Sequence, residues 1–241
     1  PTREELDAVA ADRPVFVVHV SGHMGAANSA LLALRHIDAT SADPPGGAIR
    51  RRAGSREPDG VLEESAYQAV LADVPKPDAD AALAGVANAL HYYASMGITT
   101  VQDGASMRDT LALLREAAKR KMLDLDVVAY RFWSPVGAAF PDDLPYGQYQ
   151  DRLKIDGVKL ILDGSPQGKT AYLSEPYLVP PAGQPASYRG YPSMPAGAVG
   201  KALHEALQHG VALLAHANGD AAAQMLIDET EKARRDTGNA Q

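Results

Sequence analysis

From residue 79 onward, two patterns of apolar residues occur in turn along the chain. Apolar side chains three or four positions apart predict four amphipathic helices, over residues 80–96, 109–121, 196–208 and 220–235. Short and nearly continuous apolar runs predict four strands, at residues 98–101, 125–130, 157–163 and 211–215. Strands of this kind, alternating with helices, indicate a parallel sheet that helices cover on both faces.

Residues 1–78 have no such rhythm. The pattern predicts one strand in the apolar run at 14–20, a helix over 28–35, a loop rich in Pro, Gly and Arg at 40–60, a short helix over 62–72 and a linker at 74–77. We therefore expect two regions, residues 1–78 and residues 79–241, with different architectures.

Two parallel architectures fit the second region, a doubly wound sheet and a TIM (β/α) barrel. A whole barrel needs eight βα units over about 250 residues, and about half that number is visible. Polar residues end the predicted strands, namely Asp103, Arg131, Asp163 and His216. Both architectures place their active sites at this end of the strands. No Gly-rich nucleotide-binding motif follows any strand, which favours a partial barrel with its strands in sequential order.

Composition and charge limit the classes of binding partner that we expect. The net charge is −7 and no stripe of Lys and Arg is present, so nucleic acid is not expected as a partner. No apolar run reaches the roughly 20 residues that span a bilayer, and no signal peptide opens the sequence. The absence of cysteine fits a cytoplasmic location. We expect a small-molecule substrate, with a homo-oligomer as an option. We expect that this sequence is a piece of a longer chain and that the native N-terminus is not part of it.

Lys159 lies inside an otherwise apolar strand. Alternation along the strand places Lys159, Ile161 and Asp163 on one side. One interpretation is a lysine that reaches solvent or pairs with an acid such as Asp163. The other is a neutral amine that forms a Schiff base, acts as a base, or captures carbon dioxide as a carbamate able to bridge two metals. The residues alone leave both open.

Histidine is the other candidate metal ligand. His216 ends an apolar strand, and the following residues Asn218, Gly219 and Asp220 lead into a helix for which Asp220 is a suitable N-cap. A hydrogen-bonded structural histidine is as consistent with this position as a metal ligand. His23 lies in a turn beside Gly22 and could reach a ligand. The remaining histidines near predicted helices are interpreted as structural.

Several segments together resemble the amidohydrolase superfamily, in the branch around N-substituted formamide deformylases. They comprise the residues from Pro14 to Asn28-Ser29, Gly60-Val61-Leu62-Glu63-Glu64, Gly97-Ile98-Thr99-Thr100-Val101, Gly157-Val158-Lys159 through Asp163-Gly164-Ser165, Glu175-Pro176-Tyr177 and His216-Ala217-Asn218-Gly219-Asp220. The resemblance spans nearly the whole chain, with its segments in the expected order.

The resemblance implies a barrel enzyme that hydrolyses an amide-like C–N bond with one or two divalent ions, zinc being the expected metal. Lys159, which relatives often carboxylate, and His216 correspond to metal ligands of the fourth and fifth strands. His23, Asp163 and Asn218 are the candidate substrate-binding residues. Residues 1–78 correspond to a segment inserted between the first two barrel strands, and residues 79–241 to strands 2–5.

The same resemblance places some of the machinery outside this sequence. The His-x-His pair of the first strand is expected before residue 1, and the histidine of the sixth strand after residue 241. The aspartate that acts as catalytic base is also expected after residue 241, so the piece alone is expected to lack activity. The alternatives are a metal-free ligand-binding module built on a barrel fragment and a Schiff-base barrel enzyme that uses Lys159.

Overall fold

The computed structural model describes residues 1–74, 77–181 and 183–238. The chain divides into two compact units, one formed by residues 1–75, 163–193 and 217–223 and the other by residues 76–162, 194–216 and 224–241. The helices are α1 Arg3–Val9, α2 Ser29–Leu34, α3 Ser65–Leu71, α4 Ala79–Ser95, α5 Arg108–Lys119, α6 Ala196–His209 and α7 Asp220–Thr237. The strands are β1 Phe16–Val18, β2 Met24–Ala27, β3 Gly47–Arg51, β4 Pro58–Glu64, β5 Thr100–Ser106, β6 Asp126–Phe132, β7 Tyr149–Gln150, β8 Leu153–Ile161 and β9 Ala212–His216.

The first unit contains an antiparallel sheet in the order β1-β2-β4-β3. Its apolar face packs on α2 and α3, with Leu62 and Tyr67 among the least exposed residues. The helix predicted at 28–35 is confirmed as α2, and the side chain of Asn28 caps it by accepting a hydrogen bond from the Leu31 N–H at 3.0 Å.

The prediction of a loop over residues 40–60 is wrong from residue 47, where the first of two strands begins. Residues 47–51 form β3 and residues 58–64 form β4, which pair with each other. The run Gly47-Ala48-Ile49-Arg50-Arg51 lacks a regular alternation of apolar and polar side chains, and its strand conformation depends on this pairing with β4. The helix predicted at 62–72 begins later, at Ser65, because residues 62–64 belong to β4. Residues 75 and 76 of the predicted linker lie outside the described residues.

The second unit contains the parallel sheet. Its parallel strands run in the order β5-β6-β8-β9, and β7 adds a short antiparallel pairing to β8. The sequential order agrees with the prediction, whereas a doubly wound sheet would reverse order at a switch point. Helices α4 and α5 pack on one face of the sheet, with Leu114, Ala129 and Ile155 in the shared core.

The opposite face of the parallel sheet is concave. A Cβ built on Gly104 of β5 would lie 3.6 Å from Cδ2 of Leu214 on β9, although two strands separate β5 from β9 in the sheet. Side chains of the two outer strands therefore approach each other across this face. The protein thus has a mixed α/β fold with a curved parallel sheet, while its completion as a TIM barrel, and the assignment of residues 1–78 to an insertion and of residues 79–241 to barrel strands 2–5, stay predictions. Within the described residues, no helix is long and apolar enough to cross a membrane.

Candidate metal and substrate site

Lys159 and His216 occupy neighbouring strands of the parallel sheet. The register pairs Lys159 with Leu214 and Ile161 with His216. Paired residues of adjacent strands point to the same side, and so do residues two positions apart on one strand. Lys159 and His216 therefore project from one face of the sheet, one two-residue step apart along neighbouring strands.

Lys159 is partly buried on this face. Its neighbours Val158 and Leu160 point to the other face and are fully buried. Burial lowers the pKa of the Lys159 ammonium from its ordinary value, because a low-dielectric surrounding disfavours the charged form. A larger fraction of this amine is consequently neutral than of a solvent-exposed lysine, which is the form that binds a metal or reacts with carbon dioxide.

The pair supplies part of a metal site. An imidazole and a lysine, the latter as amine or carbamate, are chemically suitable donors for a divalent transition metal. Among the residues in the described ranges, no group of three or more His, Cys, Asp or Glu side chains could hold a metal ion. A catalytic zinc site usually has three protein ligands, so Lys159 and His216 fit such a site but do not complete it.

Asp163, in the first unit, is fully buried. It connects residues 163–172, called the Asp163 loop below, to the turn at residues 217–219. Its Oδ1 accepts a hydrogen bond from the Asn218 N–H at 2.9 Å. Its Oδ2 accepts from the Gly219 N–H at 2.7 Å and from the Tyr172 N–H at 2.9 Å. Three backbone donors on one carboxylate offset the cost of burying its charge. The observed contacts of Asp163 hold the backbone in place, and its predicted role towards the substrate stays a prediction.

Asn218 and Gly219 fix the turn that follows His216. The Asn218 side chain donates from Nδ2 to the Gly164 carbonyl at 2.9 Å. Gly219 is buried against the carbonyl group of Tyr172, and a Cβ at this position would overlap that group. Only glycine allows this approach, so the predicted motif His216-Ala217-Asn218-Gly219-Asp220 is held to the Asp163 loop by close backbone contact.

His23 also belongs to the first unit and contacts a residue that the sequence did not single out. Its Nδ1 lies 3.0 Å from Oε2 of Glu64. The side chains of His23 and Glu64 are 15% and 14% exposed. The hydrogen bond to Glu64 is the main cause that raises the pKa of His23, with a further contribution from the charge of Asp163, while burial opposes them. This pairing favours an imidazolium.

Glu64 connects His23 to the Asp163 loop. Its second oxygen, Oε1, accepts a hydrogen bond from Oγ1 of Thr170 at 2.8 Å. The same Oγ1 accepts from the Ser165 N–H at 3.0 Å. The three candidate substrate-binding residues are therefore members of one polar network in the first unit. In the sequence, Glu64 was visible only as part of a motif.

Two further acidic residues of the predicted motifs, Asp103 and Asp220, accept hydrogen bonds from backbone and hydroxyl groups. Asp103 accepts hydrogen bonds from the Ala105 N–H and the Ser106 hydroxyl. Asp220 is the first residue of α7, and its carboxylate accepts from the backbone and the hydroxyl of Ser174. Those bonds, the hydroxyl first, lower the pKa of Asp220. β5 extends to Ser106, so Asp103 lies inside the strand and not at its end as predicted, and Asp220 connects the start of α7 to Ser174.

Comparison with known proteins adds to this geometry. The sequence profile of the amidohydrolase family matches residues 1–241, the whole chain. The chain belongs to the amidohydrolase family. Among its relatives, an N-substituted formamide deformylase of Arthrobacter pascens is 37% identical over 121 residues, covering 48% of this chain and 22% of the relative. The exoenzymes regulatory protein AepA of Pectobacterium carotovorum subsp. carotovorum is 27% identical over 235 residues, covering 95% of this chain and 49% of AepA.

The fold is also similar to that of two solved metal-dependent hydrolases. An uncharacterized metal-dependent hydrolase from Pyrococcus horikoshii OT3 superimposes with a TM-score of 0.65 at 25% identity, covering 96% of this amidohydrolase chain and 44% of that structure. A second one, from Pyrococcus furiosus, gives a TM-score of 0.63 at 26% identity, with 97% and 46% coverage. The chain thus spans about half the length, or less, of the proteins that it matches.

Proposed function

We propose that this amidohydrolase chain is part of a metal-dependent hydrolase that cleaves an amide-like C–N bond. The observation that carries the proposal is the common orientation of Lys159 and His216 on adjacent strands of the curved parallel sheet. The family membership supports hydrolysis as the reaction class. The similarity to an N-substituted formamide deformylase supports an N-acyl or N-formyl amine as the substrate.

In this proposal Lys159 and His216 hold one divalent ion or share a pair of ions, with zinc as the first choice. The metal would lower the pKa of water and polarise the substrate carbonyl. His216 provides an imidazole nitrogen, and Lys159 provides its neutral amine or, after reaction with carbon dioxide, a carbamate oxygen. The lowered pKa of Lys159 is compatible with both forms, because the amine must be neutral to bind a metal as well as to react with carbon dioxide.

The polar network of the first unit is proposed to bind the substrate. His23 and Asn218 are the proposed substrate contacts, and Asn218 lies at an exposed position close to Asp163. Asp163 would act through the backbone that it holds. The remaining metal ligands and the catalytic aspartate are proposed to come from residues outside this sequence.

The direct test is hydrolysis of N-formyl and N-acyl amines with zinc or manganese supplied. Two proteins are assayed after metal removal and after reconstitution. One is the 241-residue chain, and the other, called the longest form below, is the longer chain proposed to supply the remaining ligands. We expect metal-dependent turnover in the longer form, on the order of 1 per second or more, and none in the 241-residue chain. Turnover at that rate by the 241-residue chain would contradict the proposed division of the site.

A regulatory binding module is the second candidate, and the name of the relative AepA favours it. Such a module would bind its ligand without a metal. Equilibrium dialysis with zinc separates the two candidates, since the hydrolase requires metal that is lost in a His216→Ala variant. Absence of zinc binding by the longest form, combined with binding of an N-acyl amine, would favour the module. A Schiff-base enzyme would instead be trapped at Lys159 by borohydride with a carbonyl substrate.

A further inference from the structure

A cavity of about 250 Å³ lies in the second unit, between the C-terminal part of α5 and the segment that leads into β8. Its floor is apolar and includes Leu153 and Ile155 of β8, which belong to the core shared with α5. The volume is slightly below the roughly 300–1,000 Å³ that is typical of ligand pockets. A ligand of this cavity would therefore be a small molecule.

The cavity lies on a different face of the parallel sheet from the candidate metal ligand Lys159. Ile155 pairs with Ala129 of β6, and both belong to the core that the helices cover. Lys159 pairs with Phe132. Since Ala129 and Phe132 are three positions apart on one strand, their side chains point to opposite faces. The sheet thus separates the cavity from the Lys159 amine.

Two basic side chains of α5, Arg115 and Lys119, line the cavity. They are four residues apart and therefore lie side by side on the helix, where like charges are destabilising. Within the described residues, neither forms an ion pair or a side-chain hydrogen bond. Lys119 influences the nearby Glu116 by its charge alone, since that carboxylate accepts a hydrogen bond from Nε of Arg120 at 2.7 Å. Neither Arg115 nor Lys119 is thus paired directly with an acid.

The neighbouring basic side chains differ in this respect, because each has an acidic partner. The pairs are Arg120 with Glu116, Lys121 with Asp151, Arg152 with Asp126 and Lys154 with Asp156. Among the described residues, Asp151 is the one acid that lines the cavity, and Lys121 balances its charge. The cavity therefore keeps two positive charges, in a chain whose net charge is −7.

The dipole of α5 accounts for only one of these two charges. A cation is favourable in the last turn of a helix, because the carbonyl groups there carry a partial negative charge. Lys119 is the last residue of α5 and benefits in this way, whereas Arg115 lies one turn earlier. Arg115 is also exposed, so the packing of the helix does not require it. An anionic ligand in the cavity would account for both residues.

The segment across the cavity from α5 contributes Gln148 and Gln150. Each glutamine side chain has an amide NH₂ group that can donate to an oxygen atom. A guanidinium group such as that of Arg115 can donate two parallel hydrogen bonds to a phosphate, and a lysine ammonium binds it as a compact point charge. The cavity thus combines two cations and two amides with an apolar floor.

We propose that this cavity binds the phosphate group of a small phosphorylated molecule, with Arg115 and Lys119 as its charged contacts. A phosphate monoester has a charge of about −1.5 to −2 at pH 7. Two basic side chains match this charge better than the single charge of a carboxylate. The two glutamines would donate to the remaining oxygens, and the apolar floor would contact the organic part. The proposal does not rest on the proposed hydrolase function.

The first experiment is a calorimetric titration of the longest form with phenyl phosphate at constant ionic strength. Metal is removed beforehand, so that the phosphate cannot bind to a divalent ion. We expect saturable binding that is at least about tenfold weaker in Arg115→Gln and in Lys119→Gln. The matched control is Arg120→Gln, which removes the same charge from a neighbouring position of the same helix. Absence of saturable binding, or an equal loss in the control, would overturn the proposal.

The ligand class is tested with benzoate and with inorganic phosphate. Benzoate has the same ring as phenyl phosphate but one negative charge, and we expect it to bind at least about tenfold more weakly. Inorganic phosphate should compete with phenyl phosphate, because both use the two cations. Equal affinities of benzoate and phenyl phosphate, or no competition by inorganic phosphate, would show that the cavity does not select a phosphate group.

Thermal unfolding separates binding from a role of Arg115 in folding. In Arg115→Glu the introduced carboxylate lies four residues before Lys119, a favourable order for an ion pair. We expect this variant to melt no lower than the wild type without phosphate. Phenyl phosphate should raise the melting temperature of the wild type and of Arg120→Gln but not that of Arg115→Glu. A variant that melts lower, or that is stabilised as much as the wild type, would contradict the proposal.

Discussion

His216 lies one two-residue step beyond Lys159 on the same face of the parallel sheet, because β9 pairs with β8 in a register that matches His216 with Ile161. At about 4.8 Å between strands and 3.3 Å per residue, their Cα atoms are separated by about 8 Å. Side chains of this length can converge on one ion or on two ions about 3.5–4 Å apart.

Replacement of either residue should therefore weaken metal binding. We expect His216→Ala and Lys159→Ala to lose at least about tenfold in zinc affinity, since even partners of metal ligands contribute this much. Isothermal titration of the metal-free protein measures it. Lys154→Ala is the control, because Lys154 is a lysine of the same strand that pairs with Asp156. Full zinc occupancy in His216→Ala would remove it from the ligand set.

Carboxylation of Lys159 should depend on bicarbonate. Because burial lowers the pKa of this amine, its neutral fraction is enlarged near neutral pH, and we expect metal reconstitution to be faster and more complete with bicarbonate present. Native mass spectrometry should detect the carbon dioxide adduct in the wild type and not in Lys159→Arg. Reconstitution that is indifferent to bicarbonate would favour a direct amine ligand.

Asp163→Asn should destabilise the protein. The substitution removes the charge from three backbone hydrogen bonds and turns one acceptor into a donor that faces an N–H group. We expect a loss of about 2–3 kcal/mol in the free energy of unfolding, measured with urea. Asp59→Asn, where one backbone N–H is involved, should cost less than about 1 kcal/mol. Similar values for the two variants would show that the Asp163 contacts contribute little.

Glu64 offers a comparison in which glycine should be better than alanine. Both substitutions remove the hydrogen bonds to His23 and Thr170, but only glycine relieves the positive φ. Glu64→Gly should therefore be about 1–2 kcal/mol more stable than Glu64→Ala by chemical denaturation. Equal stabilities would mean that the backbone at Glu64 is unstrained.

His23 should make stability depend on pH. Its folded pKa is raised by Glu64 first and by Asp163, so its stabilising contribution is fully present below the unfolded value near 6.5 and is lost as the pH rises through the folded pKa. We expect the stability difference between the wild type and His23→Gln to be larger at pH 5.5 than at pH 8.5. A difference that grows with pH would contradict the direction of the shift.

The second unit was largely predictable because its structure is encoded locally. The apolar spacing of residues 80–96 and 109–121 corresponds to α4 and α5, and the apolar runs that follow correspond to β5 and β6. Side chains that end such strands fall on one edge of a parallel sheet, so the placement of Lys159 and His216 on a common face needed little more than alternation and strand order.

The first unit was less predictable because its structure depends on distant pairings. β2 and β3 are short and contain small or charged residues. Both pair with β4, which begins at Pro58, after the end of β2 at Ala27 and of β3 at Arg51. Glu64 escaped notice as a site residue for the same reason. Its importance lies in a backbone angle and in two partners, His23 and Thr170, that are 41 and 106 positions away.

The backbone hydrogen bonds described above for Asp163 close loops of very different length. The Tyr172 N–H is 9 positions away and can reach the carboxylate as soon as the intervening loop closes. The N–H groups of Asn218 and Gly219 are 55 and 56 positions away, with α6 and β9 in the intervening sequence. Closing a longer loop costs more chain entropy. The bonds from Asp163 to the turn beyond His216 therefore close a much longer loop than the bond to Tyr172, and we expect them to form later during folding.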